Sequence, residues 1–200
     1  KTAMLYDPEL FRLFQREKTA VLGRDSAILG KIIRRCVELK AQVVEEDFTE
    51  KGRRMELNLG HTFAHALEST LGLGEITHGD AVAWGMARAL DLGLNKGLTS
   101  PAWAEEAKTL LAEYGWCTDS EHTSIKEQRA KSREQREEKR EKGEERKEKG
   151  EGFSVREKIL GYIKSDKKKR DGAVRFVLQR ELGVTEIVTA EDSEVLEVLS

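Results

Sequence analysis

Several features that define large classes of protein are scarce in this sequence. Only two cysteines occur, Cys36 and Cys117, and they fit no CxxC pattern. We therefore predict two reduced thiols in a cytoplasmic protein. No apolar run approaches the roughly 20 residues that a membrane-spanning helix needs. No glycine-rich GxGxxG loop, of the kind that holds a dinucleotide, is present either. A disulfide scaffold, a membrane partner and a dinucleotide site within this chain are thus disfavoured.

Charge is abundant but balanced. Charged residues make up 36% of the chain, yet the net charge is −2, which gives no drive toward nucleic acid. Much of the charge is concentrated at 121–152, where 21 of 32 residues are charged with nearly equal numbers of each sign. We predict a low-complexity insertion there, either disordered or a solvated helix, between two parts of one domain at 1–120 and 153–200. His122 lies within the insertion and is predicted to be solvated.

Apolar periodicity predicts a mainly α fold. The two prolines, Pro8 and Pro101, each follow an N-cap candidate, Asp7 and Ser100 respectively. β-prone runs at 173–178 and 184–188 predict one small hairpin near the C-terminus. The predicted helical regions are 26–46, 52–71, 79–94, 101–114, 155–164 and 191–199.

Histidines are few, and three of the four lie within 18 residues: His61, His65 and His78. His61 and His65 are four apart and would share one face of a helix, where two imidazoles can meet one metal ion or one substrate. Thr62 stands where a zinc protease has glutamate, so that class is disfavoured. A bare HxxxH pair is commonly structural, but the third histidine and the flanking glycines favour a site.

Polar residues with binding chemistry precede the histidines. Arg54, Asn58 and His61 are spaced four and three apart, so one continuous helix would align them in a stripe. A guanidinium binds carboxylate or phosphate through two parallel hydrogen bonds, and an amide both donates to and accepts from hydroxyls. The alternative, exposed polar residues without function, weakens because the stripe ends at a histidine.

At these motifs the sequence resembles the dehydroquinate synthase family. The likeness lies in KAQVVEED at 40–47, LNLGHTFAHALE at 57–68, HGDAVAWGM at 78–86, and DKK at 166–168 followed by an RFVL strand. It covers about residues 1–118 and 153–200, and the charged insertion has no counterpart. The resemblance implies a multihelical C-terminal domain that binds metal and substrate.

The resemblance also implies a reaction. The family converts the seven-carbon sugar acid phosphate DAHP into 3-dehydroquinate in the shikimate pathway. NAD oxidises a hydroxyl to a ketone, phosphate is eliminated, the ketone is reduced again, and the ring opens and closes by an aldol step. A divalent metal, Zn²⁺ or Co²⁺, acts as Lewis acid.

Residue roles carry over by position in the matching motifs. The resemblance implies His61 and His78 as metal ligands, and His65 and Glu50 as proton-transfer residues. The implied substrate-binding residues are Lys1, Lys40, Arg54, Asn58 and Lys168.

Departures from the family pattern limit what this chain is expected to do. Ala64 replaces a usual glycine and Asp80 a usual glutamate, and both changes are tolerable. The third metal ligand, a glutamate, and the NAD domain are expected to precede Lys1. We therefore interpret the chain as a fragment that is inactive alone, with the N-terminal half and a homodimer as expected partners. The alternatives are another sugar phosphate cyclase, such as a 2-deoxy-scyllo-inosose synthase, or a non-catalytic helical binding protein.

Overall fold

The chain is mainly helical with one small hairpin, as predicted. The computed structural model describes residues 1–72, 74–127, 130, 131, 134, 154–169 and 174–200, with only the backbone at 166–169. Its elements are α1 (Thr2–Tyr6), α2 (Pro8–Arg16), α3 (Lys18–Leu22), α4 (Ser26–Glu46), a 3₁₀ helix (Arg53–Asn58), α5 (His61–Leu71), α6 (His78–Asn95), α7 (Pro101–Glu113), α8 (Val155–Lys169), β1 (Arg175–Glu181), β2 (Val184–Thr189) and α9 (Asp192–Glu197). Among the described residues, no helix combines the length and the apolar character needed to cross a bilayer.

Helix starts follow local capping chemistry. The side chains of Asp7, Asp25 and Thr77 each accept a hydrogen bond from the backbone N–H three residues later, at the starts of α2, α4 and α6. Ser100 occupies the N-cap position of α7 as predicted, but its hydroxyl makes no capping hydrogen bond. The capped starts explain why the predicted bounds of α4 and α6 lie within one residue of the observed ones.

α6 lies at the centre of the core. Its residues 81–90 are all buried, which the run of alanines and glycine permits because small side chains let neighbouring elements approach from every direction. α5 packs along α6, α8 packs on α5, and the hairpin lies against α6 through β1. Within the antiparallel hairpin, Phe176 pairs with Val188, and Phe176 also contacts Phe63 of α5 at a ring separation of 5.3 Å.

The prediction of one helical region at 52–71 is wrong. A 3₁₀ helix ends at Asn58, and Gly60 adopts a left-handed conformation (φ 79°) before α5 begins at His61. A Cβ on Gly60 would lie 2.6 Å from the backbone nitrogen of Met86, so the turn is fixed by close contact with α6. The single helical stripe of Arg54, Asn58 and His61 therefore does not form.

The prediction that His122 is solvated is also wrong. Its side chain is 5% exposed, and its ring lies edge-on to Trp84 of α6 with centroids 6.4 Å apart. Ile125, one helical turn later, is 2% exposed and joins the core. Residues 135–153 of the predicted insertion lie outside the described part of the chain, so the domain boundaries stay a prediction. Cys36 and Cys117 are free thiols, as expected.

Candidate active site

Three imidazoles meet at the starts of α5 and α6. His61 is the first residue of α5, His65 lies one turn later, and His78 is the first residue of α6. The ring centroids lie 5.5 Å apart for His61 and His65, 5.4 Å for His61 and His78, and 6.1 Å for His65 and His78. The prediction that His78 folds back to the HxxxH pair is confirmed by this geometry.

Two of the rings are oriented through the same nitrogen. Nδ1 of His61 lies 3.1 Å from the carbonyl oxygen of Leu59, and Nδ1 of His78 lies 3.1 Å from Oε1 of Glu68. Because both partners are oxygen acceptors, the hydrogen bonds assign the proton to Nδ1 in each ring. Each ring then offers its lone pair at Nε2, the atom needed for metal binding.

Lys1 links the histidines to the 3₁₀ helix. Its Nζ donates to the carbonyl oxygen of Leu57 at 2.6 Å and lies 3.4 Å from Nε2 of His61. Burial, with a further contribution from the charge of Lys40 on α4, lowers the pKa of the Lys1 side chain to about 8. Burial, followed by the charge of Lys1, lowers the pKa of His61 to about 4, so this imidazole is neutral at pH 7.

An apolar cavity of about 280 Å³ adjoins this group. Lys1, His61 and His78 contribute to its lining, and most of the remaining walls come from side chains of α1, α2, α6 and α7, including Phe11 and Met86. These walls exclude water from one side of the histidines, which is the physical source of the lowered pKa of His61.

Glu50, Arg54 and Asn58 form a second group just before the histidines. Asn58 Nδ2 donates to Glu50 Oε1 at 2.8 Å, and Arg54 Nε lies 4.0 Å from Glu50 Oε2. Arg54 also donates through a terminal nitrogen to the Phe48 carbonyl at 3.0 Å. The predicted residues thus come together through side-chain contacts across a turn, rather than along one helix.

A turn held by Asp47 carries this second group. The Asp47 carboxylate accepts hydrogen bonds from the backbone N–H groups of Lys51, Gly52 and Arg54 at 3.2, 2.7 and 3.1 Å. These bonds, that from Gly52 foremost, lower the pKa of Asp47. Inside the turn, Glu50 has a left-handed backbone (φ 56°), which non-glycine residues rarely adopt and which the surrounding bonds must hold.

The donor set fits a divalent metal. Imidazole nitrogens and carboxylate oxygens are the ligands that zinc and cobalt accept. His61 is neutral at pH 7, so its lone pair is not protonated. Ligand atoms of His65, Glu68 and His78 also lie within 4.8 Å of one another. The three-histidine cluster with Glu68 therefore offers enough donors at one place for a metal ion.

The family follows from comparison of the sequence with known proteins. A family model described as 3-dehydroquinate synthase C-terminal matches residues 1–140. The chain belongs to this family. A 3-dehydroquinate synthase from Xanthomonas campestris is 34% identical over 100% of this chain and 48% of its own length. One from Dictyoglomus thermophilum is 30% identical over 100% of this chain and 47% of its length. The chain spans about half the length of the curated relatives it matches.

Solved structures of sugar phosphate cyclases share the fold. A 2-epi-5-epi-valiolone synthase from Streptomyces hygroscopicus, with NAD⁺ and Zn²⁺ bound, superposes with a TM-score of 0.72 at 19% identity, covering 99% of this chain and 47% of its own. A 2-deoxy-scyllo-inosose synthase with carbaglucose-6-phosphate, NAD⁺ and Co²⁺ gives a TM-score of 0.59 at 20% identity, covering 86% and 40%. At these identities the likeness establishes the fold alone.

Two residues of the site escaped the sequence analysis, and one predicted residue is not located. Asp47 and Glu68 stood in the quoted motifs without a role, although Glu68 lies one helical turn after His65 and so on the same face. Lys40 is exposed on α4 and close enough for its charge to act on Lys1. Lys168 lies in the last turn of α8, where side chains are outside the described part of the structure.

Proposed function

We propose that this chain is the metal- and substrate-binding portion of a 3-dehydroquinate synthase, which converts DAHP to 3-dehydroquinate with loss of phosphate. The observation that carries the proposal is the convergence of three imidazoles, two of them oriented through Nδ1, beside the ammonium group of Lys1. Membership in the family and curated relatives of that name support the assignment of the reaction.

His61 and His78 are the proposed metal ligands, each through Nε2. A bound Zn²⁺ or Co²⁺ would supply Lewis acidity toward substrate oxygens. The chain's own contribution is to keep His61 unprotonated by burial and to fix both rings before the metal arrives. The spread of zinc and cobalt among the structural neighbours is consistent with this nitrogen donor set.

The proposed substrate residues surround this centre with positive charge. Lys1, Lys40, Arg54 and Lys168 would bind the carboxylate and phosphate of DAHP, and the amide of Asn58 would bind a hydroxyl. Lys1 is half-buried, so its attraction for an anion is screened less than that of an exposed lysine. His65, exposed at the metal cluster, and Glu50, held by Asn58, are the proposed proton-transfer residues.

NAD and the remaining partners belong to the whole enzyme. We propose that NAD binds to the half of the enzyme that this chain does not span, because the sequence has no glycine-rich dinucleotide loop. The whole enzyme is proposed to act in the cytoplasm and to form a homodimer. Relatives named 3-dehydroquinate synthase are 30–34% identical, against 19–20% for the other cyclases, which favours DAHP over their substrates.

The proposal is tested by titrating DAHP into the zinc-loaded chain in a calorimeter. We expect binding that is lost in Arg54→Ala, because the guanidinium supplies hydrogen bonds to an anionic group. Arg12→Ala is the control, since that arginine lies on α2 and pairs with Glu9 on the same helix. Absence of binding, or equal affinity in both variants, would contradict the substrate assignment. A non-catalytic binding protein would give that result.

A further inference from the structure

Glu68 and His78 come from different helices and meet at the metal cluster. Glu68 lies on α5, one turn after His65, and His78 begins α6. Oε1 of Glu68 is 3.1 Å from Nδ1 of His78. We propose that Glu68 is a positioning residue, which fixes the tautomer and ring orientation of His78 so that Nε2 faces the metal. The inference rests on the proposed role of His78 as a ligand.

His78 needs such a partner because little else holds its ring. The side chain is 59% exposed, whereas that of Glu68 is 29% exposed. An exposed imidazole rotates among rotamers and exchanges its proton between the two nitrogens. An acceptor at Nδ1 removes both freedoms, because the ring must keep its proton there and turn the opposite nitrogen outward.

The comparison with His61 makes the assignment specific. Nδ1 of His61 is held by the backbone carbonyl of Leu59, at the same 3.1 Å, and no side-chain substitution can remove that acceptor. Nδ1 of His78 is held by a replaceable side chain. The cluster therefore has one backbone anchor and one side-chain anchor, and only the second can be tested by mutation.

A different role for Glu68, as a direct ligand, is less consistent with the geometry. Its ligand atom lies within 4.8 Å of those of His65 and His78, close enough for a shared ion. However, the nitrogen of His78 that faces Glu68 is Nδ1. An ion between them would have to replace the observed hydrogen bond, and His78 would then bind through the nitrogen that faces away from its partner ligand.

Three variants separate reach from charge. Glu68→Gln keeps an acceptor oxygen at the same reach and removes the charge. Glu68→Asp keeps the charge and withdraws the oxygen by one methylene. Glu68→Ala removes both. The control is Glu105→Ala, which removes an exposed glutamate from α7. Circular dichroism checks that each variant folds, and the Gln and Asp pair decides the question if Glu68→Ala does not.

The first readout needs neither metal nor activity. Long-range ¹H–¹⁵N spectra of the metal-free chain at about pH 8, where an ordinary histidine is neutral, report the tautomer of each ring. The His78 signals are assigned from His78→Ala. We expect protonation at Nδ1 in wild type, Glu105→Ala and Glu68→Gln. We expect a mixture or the opposite tautomer in Glu68→Asp and Glu68→Ala.

Zinc calorimetry is the second readout. Loss of an orienting partner weakens metal binding about 10- to 100-fold, so Glu68→Ala and Glu68→Asp should bind that much more weakly, with Glu68→Gln near wild type. An unchanged His78 tautomer in Glu68→Ala overturns the inference. Equal loss of affinity in Gln and Ala with an unchanged tautomer would make Glu68 a ligand instead. A tautomer change in a chain that binds no zinc upholds the positioning role and defeats the proposed metal site.

Discussion

Gly85 of α6 lies directly against the carbonyl oxygen of Gly60, so closely that a Cβ on Gly85 would stand 2.1 Å from that oxygen. This backbone contact occurs one residue before His61 and seven residues after His78. It brings the start of α5 onto α6 at a separation that no larger residue permits. The distance between the two proposed metal ligands therefore depends on a pair of glycines that carry no chemistry themselves.

Substitution of Gly85 by alanine tests this contact. We expect Gly85→Ala to lower the free energy of unfolding by about 1–3 kcal/mol or more, because overpacking against backbone cannot be relieved by a rotamer change. Gly30→Ala on α4 is the matched control, since nothing lies within 4 Å of its Cβ position. That variant should gain roughly 0.5–1 kcal/mol, because alanine favours the helix interior. Urea denaturation of both variants measures the difference, and similar stabilities would contradict the close contact.

Zinc binding tests the proposed ligands. Calorimetry should detect binding by the wild-type chain and its loss in the His61→Ala and His78→Ala variants, because each removes one imidazole Nε2 from the cluster. His122→Asn serves as the histidine control, since that ring packs on Trp84 away from the cluster. Retained affinity after either cluster substitution would exclude that residue as a ligand.

Local patterns in the sequence predicted the helices well, whereas contacts between helices could not be read from it. α4 and α6 followed from apolar spacing between capped starts at Asp25 and Thr77, and the hairpin followed from its β-prone runs. The break at Gly60 escaped prediction because it depends on Gly85, 25 residues later in the sequence. His122 was misjudged because the charged composition of 121–152 outweighed the local signal of Ile125.

The site showed the same division. Histidine spacing was enough to predict that the three rings would meet, since two share a helix turn and the third follows a short connection. The hydrogen bond between Glu68 and His78 crosses that connection, and no periodicity encodes which nitrogen the carboxylate faces. Likewise, Asp47 could be recognised as a turn-forming residue only once its three backbone donors were located.

Asp47 is expected to affect substrate binding without touching the substrate. Asp47→Ala removes the acceptor for three backbone N–H groups, so the turn that places Glu50 and Arg54 loses its fixed form. We expect roughly tenfold weaker binding of DAHP, the loss that follows when one or two hydrogen bonds no longer position the binding groups. Calorimetry on the zinc-loaded chain measures it, with Glu45→Ala, exposed at the end of α4, as control. Unchanged affinity would show that the turn keeps its form without the carboxylate.

His122 should make the stability of the fold depend on pH. Burial lowers the pKa of this ring from its ordinary value of 6.5, and the opposing charges of Asp80 and Glu127 do not reverse the shift. Its Nδ1 also accepts a hydrogen bond from the Ser124 backbone N–H at 3.1 Å, which protonation of Nδ1 would break. The neutral ring is therefore the form that the folded state favours.

The direction of the effect follows from proton counting. Between the lowered folded pKa and 6.5, the unfolded chain binds a proton at His122 that the folded chain does not, so stability falls as pH decreases through this window. Asparagine keeps an acceptor oxygen near the Nδ1 position and does not titrate. The free energy of unfolding of His122→Asn, measured in urea from about pH 7.5 to about pH 5, should therefore fall less steeply than that of wild type. His61 titrates with the same sign in both proteins and cancels in the comparison. Equal slopes would mean that His122 is protonated as readily in the folded chain as in the unfolded one, and its burial would then have no effect on its charge.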